Sequence, residues 1–383
     1  MTIRRPVIVH LTTVPVSLEL LLKPEIIDLV SRGAAVHTIC GPKLDSEPWR
    51  PVEGVIHHVA PSLTRKMAPM ADLRAIAEIW QILRTIRPDV LHTHTPKAAI
   101  YGRIIGRALG VTVVANTVHG LPVRESPRSL FENGYLLFES LAGLFSDVEF
   151  YLTEGDLELV GRWHRSHNFV TGGGIDLQRF AFDPEMRARR RAELGLGDDE
   201  ILIGGVGRRV ADKGIVEFAQ AAEQLGGRAT FVWIGPDDPE KKDAISTQLS
   251  HVRFLDFSPV MQEWYSAFDI FVLPSFREGL PKSAMEASAI GLPIVTTAIR
   301  GTTGLGRDEV ELRRFPVGDV TALVNVLGDL IEHPELRREL GLAARQRALE
   351  HYNIQRISAI YAQAYVDIAL AKGRPISLKG VNS

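Results

Sequence analysis

The chain is poor in cysteine, in net charge and in long apolar runs, and each shortage excludes something. One cysteine, Cys40, among 383 residues leaves no partner for an intrachain disulfide and no multi-cysteine metal site. A reducing, cytosolic compartment is therefore expected. The formal net charge is only −2, so nothing marks the chain as a polyanion binder, and nucleic acid is not an expected partner. No apolar run reaches the roughly 18 residues needed to span a bilayer. Residues 1–5 lead straight into a short apolar strand and lack a signal-peptide core. The chain is expected to be cytoplasmic, at most peripheral on the cytoplasmic face of a membrane. Two phosphate loops are also missing. No Gly-x-x-x-x-Gly-Lys-Ser/Thr occurs. The first strand runs into Thr12-Thr13-Val14-Pro15-Val16-Ser17 instead of Gly-x-Gly-x-x-Gly, which disfavours a dinucleotide dehydrogenase.

What is present is enough apolar material for two cores: 45% hydrophobic and 23% charged residues over a length too great for one ordinary domain. Short apolar segments at 7–11, 35–40, 89–93 and 111–115 read as buried strands. They alternate with helical spacing at 19–32 and 72–86 and with a helix opened by Pro96. The rhythm restarts with strands at 201–206, 230–234, 252–255 and 270–273. The expected fold is α/β, two doubly wound Rossmann-like domains facing across a cleft. The expected divisions are 1–180, 181–355, and a C-terminal segment 356–383 whose helix crosses back to the first domain and whose last residues, from Gly373, are frayed. The arginine-rich stretch 183–199 reads as a solvated linker helix.

The most informative window is Pro274-Ser275-Phe276-Arg277-Glu278-Gly279-Leu280-Pro281-Lys282-Ser283-Ala284-Met285-Glu286, directly after the strand at 270–273. A strand, a Glu-Gly turn and a helix present backbone N–H groups and a carboxylate to an anionic, hydroxyl-rich ligand. The strand at 201–206 leads into Gly207-Arg208-Arg209-Val210-Ala211-Asp212-Lys213-Gly214. Arg208 and Lys213 are five apart at the entry to a helix. There a planar fork and a compact ammonium can neutralise a diphosphate without a metal.

Taken in order, Gly-Arg-x-x-x-x-Lys-Gly, the Leu273-Pro274-Ser275 strand end and Glu-x7-Glu resemble the retaining GT-B glycosyltransferases of the large family numbered four. The stretches 265–275, 287–295 and Gly174-Ile175-Asp176-Leu177-Gln178-Arg179-Phe180 extend the likeness over most of the chain. The resemblance implies a transferase moving sugar from a nucleotide-sugar donor, expected to be a UDP-sugar, with no cofactor and no metal. It places Arg208 and Lys213 on the diphosphate, and Glu278 on hydroxyls of the donor sugar. Gly279, Leu280 and Lys282 would lie around the sugar and phosphate, and Glu286 at the ribose. Pro281 has no N–H to give. His119, in Asn116-Thr117-Val118-His119-Gly120, falls where the family has a histidine near the reacting sugar. Retention in this family is usually explained by front-face attack without an enzyme nucleophile, so the protein's part is positioning and electrostatics. Glu278 and Glu286 are not read as a glycosidase pair.

His92-Thr93-His94-Thr95-Pro96-Lys97 and the segment 62–70 resemble the subgroup that extends polyprenyl-diphosphate-linked sugars for capsule, exopolysaccharide or other surface glycans. His94 and Lys97 become acceptor candidates, with Arg65, Lys66 and Arg103 as further contacts for a lipid diphosphate. His92 and His94 are expected to diverge at the strand end and to make a poor metal pair. The loop at Phe257-Ser258 is expected to meet the nucleobase. Three departures stand out: the first-strand loop lacks the Gly-Gly pair of many relatives, Gly172-Gly173-Gly174-Ile175-Asp176 lacks their asparagine, and the run 310–316 replaces their Thr-Gly-Leu-Leu-Val-Pro. An isomerase of the UDP-N-acetylglucosamine 2-epimerase kind shares the fold and is the alternative reading.

Overall fold

The computed structural model describes residues 5–43, 50–123, 128–161, 166–237 and 249–381. The chain divides into two compact units, one of residues 1–174 with 354–383 and the other of residues 175–353. Sequence reading set the divisions at 180/181 and 355/356. Both described sheets are parallel.

In the first unit the strands are β1 (Val7–Leu11), β2 (Ala35–Cys40), β3 (Ile56–Val59), β4 (Val90–His94), β5 (Val113–Val118), β6 (Val148–Tyr151) and β7 (His167–Val170). Their order is β3-β2-β1-β4-β5-β6-β7, so the direction of winding reverses between β1 and β4. β3, β6 and β7 escape sequence reading because they are four residues long and two of them are edge strands with little apolar periodicity, as in Ile56-His57-His58-Val59. β5 runs three residues further than expected, which brings His119 directly to its carboxyl end.

The first helical segment starts at Pro15, four residues before the expected start. It passes through a wide turn at Leu18–Leu22 before the helix Lys23–Ser31. Pro24 explains the wide turn, since it has no N–H and its ring crowds the carbonyl four residues back. The C-terminal helix Ile354–Ala371 buries Ile357, Tyr361, Tyr365 and Ile368 in the core with Ile8, Val36, Val90 and Val113. Ile376 and Leu378 are buried in the same core. The expectation of a frayed tail from Gly373 is therefore corrected. Two buried aliphatic side chains, each worth roughly 1.5–3 kcal/mol, tie the segment down.

The second unit has β8 (Leu202–Val206), β9 (Thr230–Ile234), β10 (Val252–Leu255), β11 (Ile270–Leu273), β12 (Ile294–Thr297) and β13 (Arg313–Phe315), in the order β10-β9-β8-β11-β12-β13. The winding reverses between β8 and β11. Trp233, Phe218 and Phe231 centre one face of the core. The arginine-rich stretch is not a solvated linker. It forms the helix Pro184–Glu193, whose Arg187 and Arg191 both reach Asp269 (2.6 and 3.0 Å), while Arg190 reaches Glu263 (2.8 Å). Arg191 is fully buried. These guanidiniums serve the packing of the unit and are committed to carboxylates, so they do not form an open anion site.

Candidate functional site

Ligands of doubly wound sheets bind beyond the carboxyl ends of the strands, at the point where the winding reverses. In the second unit that point lies beyond β8 and β11, and the singled-out residues gather there. The loop after β8 ends at Gly214, whose φ of 73° is left-handed; a side chain there would come within 2.0 Å of the Pro274 carbonyl. Only glycine permits this approach, and the approach brings Lys213 onto the end of β11. The Lys213 Nζ lies 2.7 Å from Glu278 Oε1, and Ser275 Oγ donates to the same oxygen at 2.7 Å. Both bonds fall on Oε1, so Oε2 is the oxygen left for a ligand. A second close approach backs the turn: a side chain at Gly301 would sit 2.0 Å from the Gly279 carbonyl.

Lys282–Ile290 is a helix entered through Pro281, with no side-chain cap. Its first-turn N–H groups, with the positive end of the helix dipole, flank Gly279 and the buried Leu280. Arg208 is exposed at the start of the loop, and Lys213, Glu278 and Lys282 are half-buried. Beside them Arg277 pairs with Asp212 at 3.1 Å. Glu286 accepts from the Tyr265 hydroxyl at 3.0 Å. Burial raises its carboxyl above the usual range, opposed by Lys282, by the Tyr265 bond and by Arg179. The loop after β10 leaves Phe257 exposed. This end of the sheet thus joins a cation, a carboxylate with an open oxygen and a helix N-terminus, the donor set for a group that is hydroxylated at one end and anionic at the other.

The corresponding point in the first unit, beyond β1 and β4, is built of histidines. His10 stands opposite His92 in the β1–β4 register. His92 and His94 do not diverge, contrary to expectation, because residues two apart in a strand point to one face. His94 Nε2 lies 3.1 Å from His10 Nδ1, and His94 Nδ1 lies 3.0 Å from His119 Nε2. His92 bonds Thr117 Oγ1 through Nε2 (2.7 Å) and the Tyr365 hydroxyl through Nδ1 (2.6 Å). Glu25 brings Oε1 within 3.4 Å of His92 Nδ1 and 4.0 Å of His10 Nδ1. Burial dominates the protonation of this cluster. It lowers His10 to about 4 and His92 to about 3, holds His94 well below the usual range, and pushes Glu25 up to about 7. The imidazoles of His10, His92 and His94 are neutral at pH 7. One ligand atom from each of these three lies within 4.8 Å of the others, the spacing of a metal cluster.

The acceptor candidates need correction. His94 is fully buried, with both ring nitrogens engaged by other histidines, so it does not face an acceptor. Lys97 is buried and gives its ammonium to Asp72 Oδ1 and the Lys66 carbonyl, both at 2.6 Å. Arg103 is buried between Glu139 (2.5 Å) and Glu149 (2.9 Å). Both cations are structural. Arg65 and Lys66 are exposed, beside the exposed Met67 and Met70. Sequence reading missed Ser275, Tyr265, His10, Glu25 and Tyr365. The signal for His10 was available, as a polar residue inside an otherwise apolar buried strand; nothing local marks Glu25 or Tyr365, which reach the cluster from two separate helices.

Two family descriptions match the chain: "Glycosyl transferases group 1" over residues 200–333 and "Glycosyl transferase 4-like" over residues 17–143. The UDP-Gal:alpha-D-GlcNAc-diphosphoundecaprenol alpha-1,3-galactosyltransferase of Escherichia coli is 25% identical over 325 residues, 82% of this chain and 84% of that protein. The D-inositol 3-phosphate glycosyltransferase of Xylanimonas cellulosilytica is 31% identical over 281 residues, 67% of each. Among solved structures, sucrose-phosphate synthase from Thermosynechococcus elongatus superposes with a TM-score of 0.82 at 19% identity, covering 96% of this chain and all of that one.

Proposed function

The chain belongs to the group 1 glycosyltransferases, with the GT-B fold, and we propose that it moves a hexosyl or N-acetylhexosaminyl group from a UDP-sugar to a polyprenyl-diphosphate-linked saccharide, with retention of configuration, in the synthesis of a surface polysaccharide or glycan. The observation that carries the donor reading is the 2.7 Å contact between Lys213 and Glu278. In a sugar nucleotide, sugar hydroxyls and diphosphate oxygens meet at the anomeric carbon. A carboxylate for the first and a cation for the second must therefore be neighbours. The UDP-galactose in the name of the Escherichia coli relative favours a uridine nucleotide, and exposed Phe257 offers a face to its base.

The chemistry then follows from charge. As the glycosidic bond breaks, negative charge grows on the departing diphosphate. Lys213, Arg208 and the N-terminus of the helix Lys282–Ile290 stabilise it, each charge-assisted hydrogen bond contributing about 1.5–3 kcal/mol. Glu278 Oε2 orients the sugar, and Glu286, held by Tyr265, takes the ribose hydroxyls. The acceptor hydroxyl attacks from the leaving-group face, and a diphosphate oxygen accepts its proton. No carboxylate acts as nucleophile. For His119 the family likeness implies a positioning and polarising role, with no part as a nucleophile. Because two cations meet the diphosphate, activity is expected to survive EDTA.

A lipid-linked acceptor implies contact with a membrane surface. Among the described residues no helix is long and apolar enough to cross a membrane. The helix Leu130–Gly143, however, exposes Leu130, Phe131, Leu137, Phe138 and Leu141, and a second apolar group, Met67, Met70 and Leu73, lies beside Arg65 and Lys66. Apolar side chains next to cations suit an anionic lipid interface. The epimerase alternative is not favoured, since the relatives are transferases. The test is a donor screen by nucleotide release with lipid-linked saccharides present and absent, with and without EDTA. Acceptor-dependent UDP release is expected. Epimer formation without acceptor would overturn the reading, and complete loss with EDTA would overturn the metal-free part of it.

A further inference from the structure

The buried histidines of the first unit exceed what a site histidine needs. His119 alone lies at the edge of the cluster and is half-buried; His94 and His10 stand behind it, fully buried, one after the other. Their contacts are edge to edge. The His10 and His94 rings are 5.3 Å apart at their centroids and inclined by only 18°, while Nδ1 of one lies 3.1 Å from Nε2 of the other. His94 and His119 also meet nitrogen to nitrogen, with centroids 5.3 Å apart, planes inclined by 40° and nitrogens 3.0 Å apart. Rings that meet nitrogen to nitrogen in this way are hydrogen-bonded in series.

A neutral imidazole has one donor and one acceptor nitrogen. A series of three therefore has only two arrangements, and fixing the tautomer of one ring fixes all. His10 decides between them. Its Nε2 is buried with no hydrogen-bond partner among the described residues. An orphaned lone pair is less costly there than an orphaned N–H. His10 Nδ1 also faces the carboxyl of Glu25 at 4.0 Å. Both features favour the proton on His10 Nδ1. His10 then donates to His94 Nε2, and His94 Nδ1–H donates to His119 Nε2.

We propose that His10 and His94 are positioning residues for glycosyl transfer: their hydrogen-bond series fixes the ring plane of His119 and its tautomer, with the His119 proton on Nδ1. The role of His119 at the sugar rests on the reading given above; the tautomer does not. The fixed tautomer matters because a ring that donates from the wrong nitrogen has the wrong polarity toward its ligand. A metal ion is the rival occupant of the cluster, given the 4.8 Å spacing of His10, His92 and His94. The bonding argues against it. Both nitrogens of His94 go to histidines and both of His92 to Thr117 and Tyr365, so a metal would have to displace hydrogen bonds that already satisfy those rings.

The groups facing Glu25 are His10 on β1, His92 on β4, Asp28 on its own helix, and Tyr361 and Tyr365 on the C-terminal helix. Ionising Glu25 strengthens the preference for the proton on His10 Nδ1 and leaves the series in the same arrangement. Neutralising it weakens that preference, while the orphaned Nε2 of His10 still favours the same arrangement.

The direct test is nitrogen-15 NMR of the histidine rings in the full-length wild-type protein at pH 7.5, which needs no variant to fold. Proton on Nδ1 and lone pair on Nε2 are expected for His10, His94 and His119. Proton on Nε2 of His119 overturns the proposal, and so does one equivalent of transition metal retained by the purified protein. Two substitutions of His94 then separate the links. The side-chain amide of an asparagine reaches the place of the imidazole Nδ1, and that of a glutamine reaches the place of Nε2. His94→Asn is expected to keep kcat within about 3-fold, and His94→Gln to lower kcat about 10- to 100-fold, in both cases with donor KM little changed. Equal kcat in the two variants overturns the positioning role. If His119→Ala keeps full activity while the ring tautomers are as stated, the hydrogen-bond series stands as a structural feature, and the sugar-site reading of His119 falls together with the positioning role for transfer.

Discussion

The two sheets present opposite chemistries at equivalent places. Beyond β8 and β11 the second unit gathers formal charges, namely Arg208, Lys213, Glu278 and Lys282, and keeps them exposed or half-buried. Beyond β1 and β4 the first unit gathers His10, His92 and His94, all buried and neutral, with only His119 partly reaching the surface. The difference follows from the cost of desolvation. A charge meant to meet an anionic ligand must stay where water or ligand can reach it, because burying it unpaired is prohibitive. A group intended to hold another group in place can be buried if it is neutral and its hydrogen bonds are satisfied. The first unit also buries true ions, Arg103 and Lys97, and in each case sets carboxylates in contact with them.

That contrast can be broken by substitution, and the largest effect belongs to the buried ions. Arg103→Met leaves Glu139 and Glu149 buried without their cation; chemical denaturation is expected to show a loss of about 3–5 kcal/mol. Were Arg103 a ligand contact, stability would hold and only acceptor use would fall. Lys213→Ala removes a half-buried, solvent-reachable charge and is expected to do the reverse, with a stability change within about 1 kcal/mol. Turnover by nucleotide release should fall about 100- to 1,000-fold.

Glu25 gives a pH-dependent comparison. Burial raises its folded-state pKa from 4.5 to about 7. The folded protein therefore holds this proton more tightly than the unfolded chain, and stability declines as pH rises through this interval. Glu25→Gln is expected to stabilise the protein by about 2 kcal/mol at pH 8 and by much less at pH 4.5. Thermal melts at the two pH values read this out, and an equal shift at both would show that the carboxyl is not desolvated. The smallest effect is expected at Glu286. Glu286→Gln keeps the bond to Tyr265 but weakens acceptance from two ribose hydroxyls, so donor KM should rise about 10-fold with kcat nearly unchanged.

The sequence was legible wherever a residue's role depends on its immediate neighbours. The apolar strands, the Pro96 and Gly214 helix boundaries, and the Glu-x7-Glu window are local patterns, and the structure brings Lys213, Ser275 and Glu278 into one contact from two of them. Reading failed where burial decides. Lys97 and Arg103 look like surface cations on a helix with polar spacing. Their carboxylate partners lie 25 to 46 positions away, a distance that sequence spacing does not encode. The histidine series is likewise assembled from the ends of three parallel strands, with Glu25 and Tyr365 supplied by helices far apart in the chain. The misjudged His92–His94 geometry was a different failure, since a period of two in a strand was there to be read.

The central claim is that the turn beyond β11 holds the donor sugar, and Glu278→Ala tests it most directly. Measured as acceptor-dependent release of nucleotide from the preferred sugar nucleotide, the variant is expected to lose about 100-fold or more of turnover while remaining folded. Turnover equal to that of the unaltered protein would contradict the assigned site.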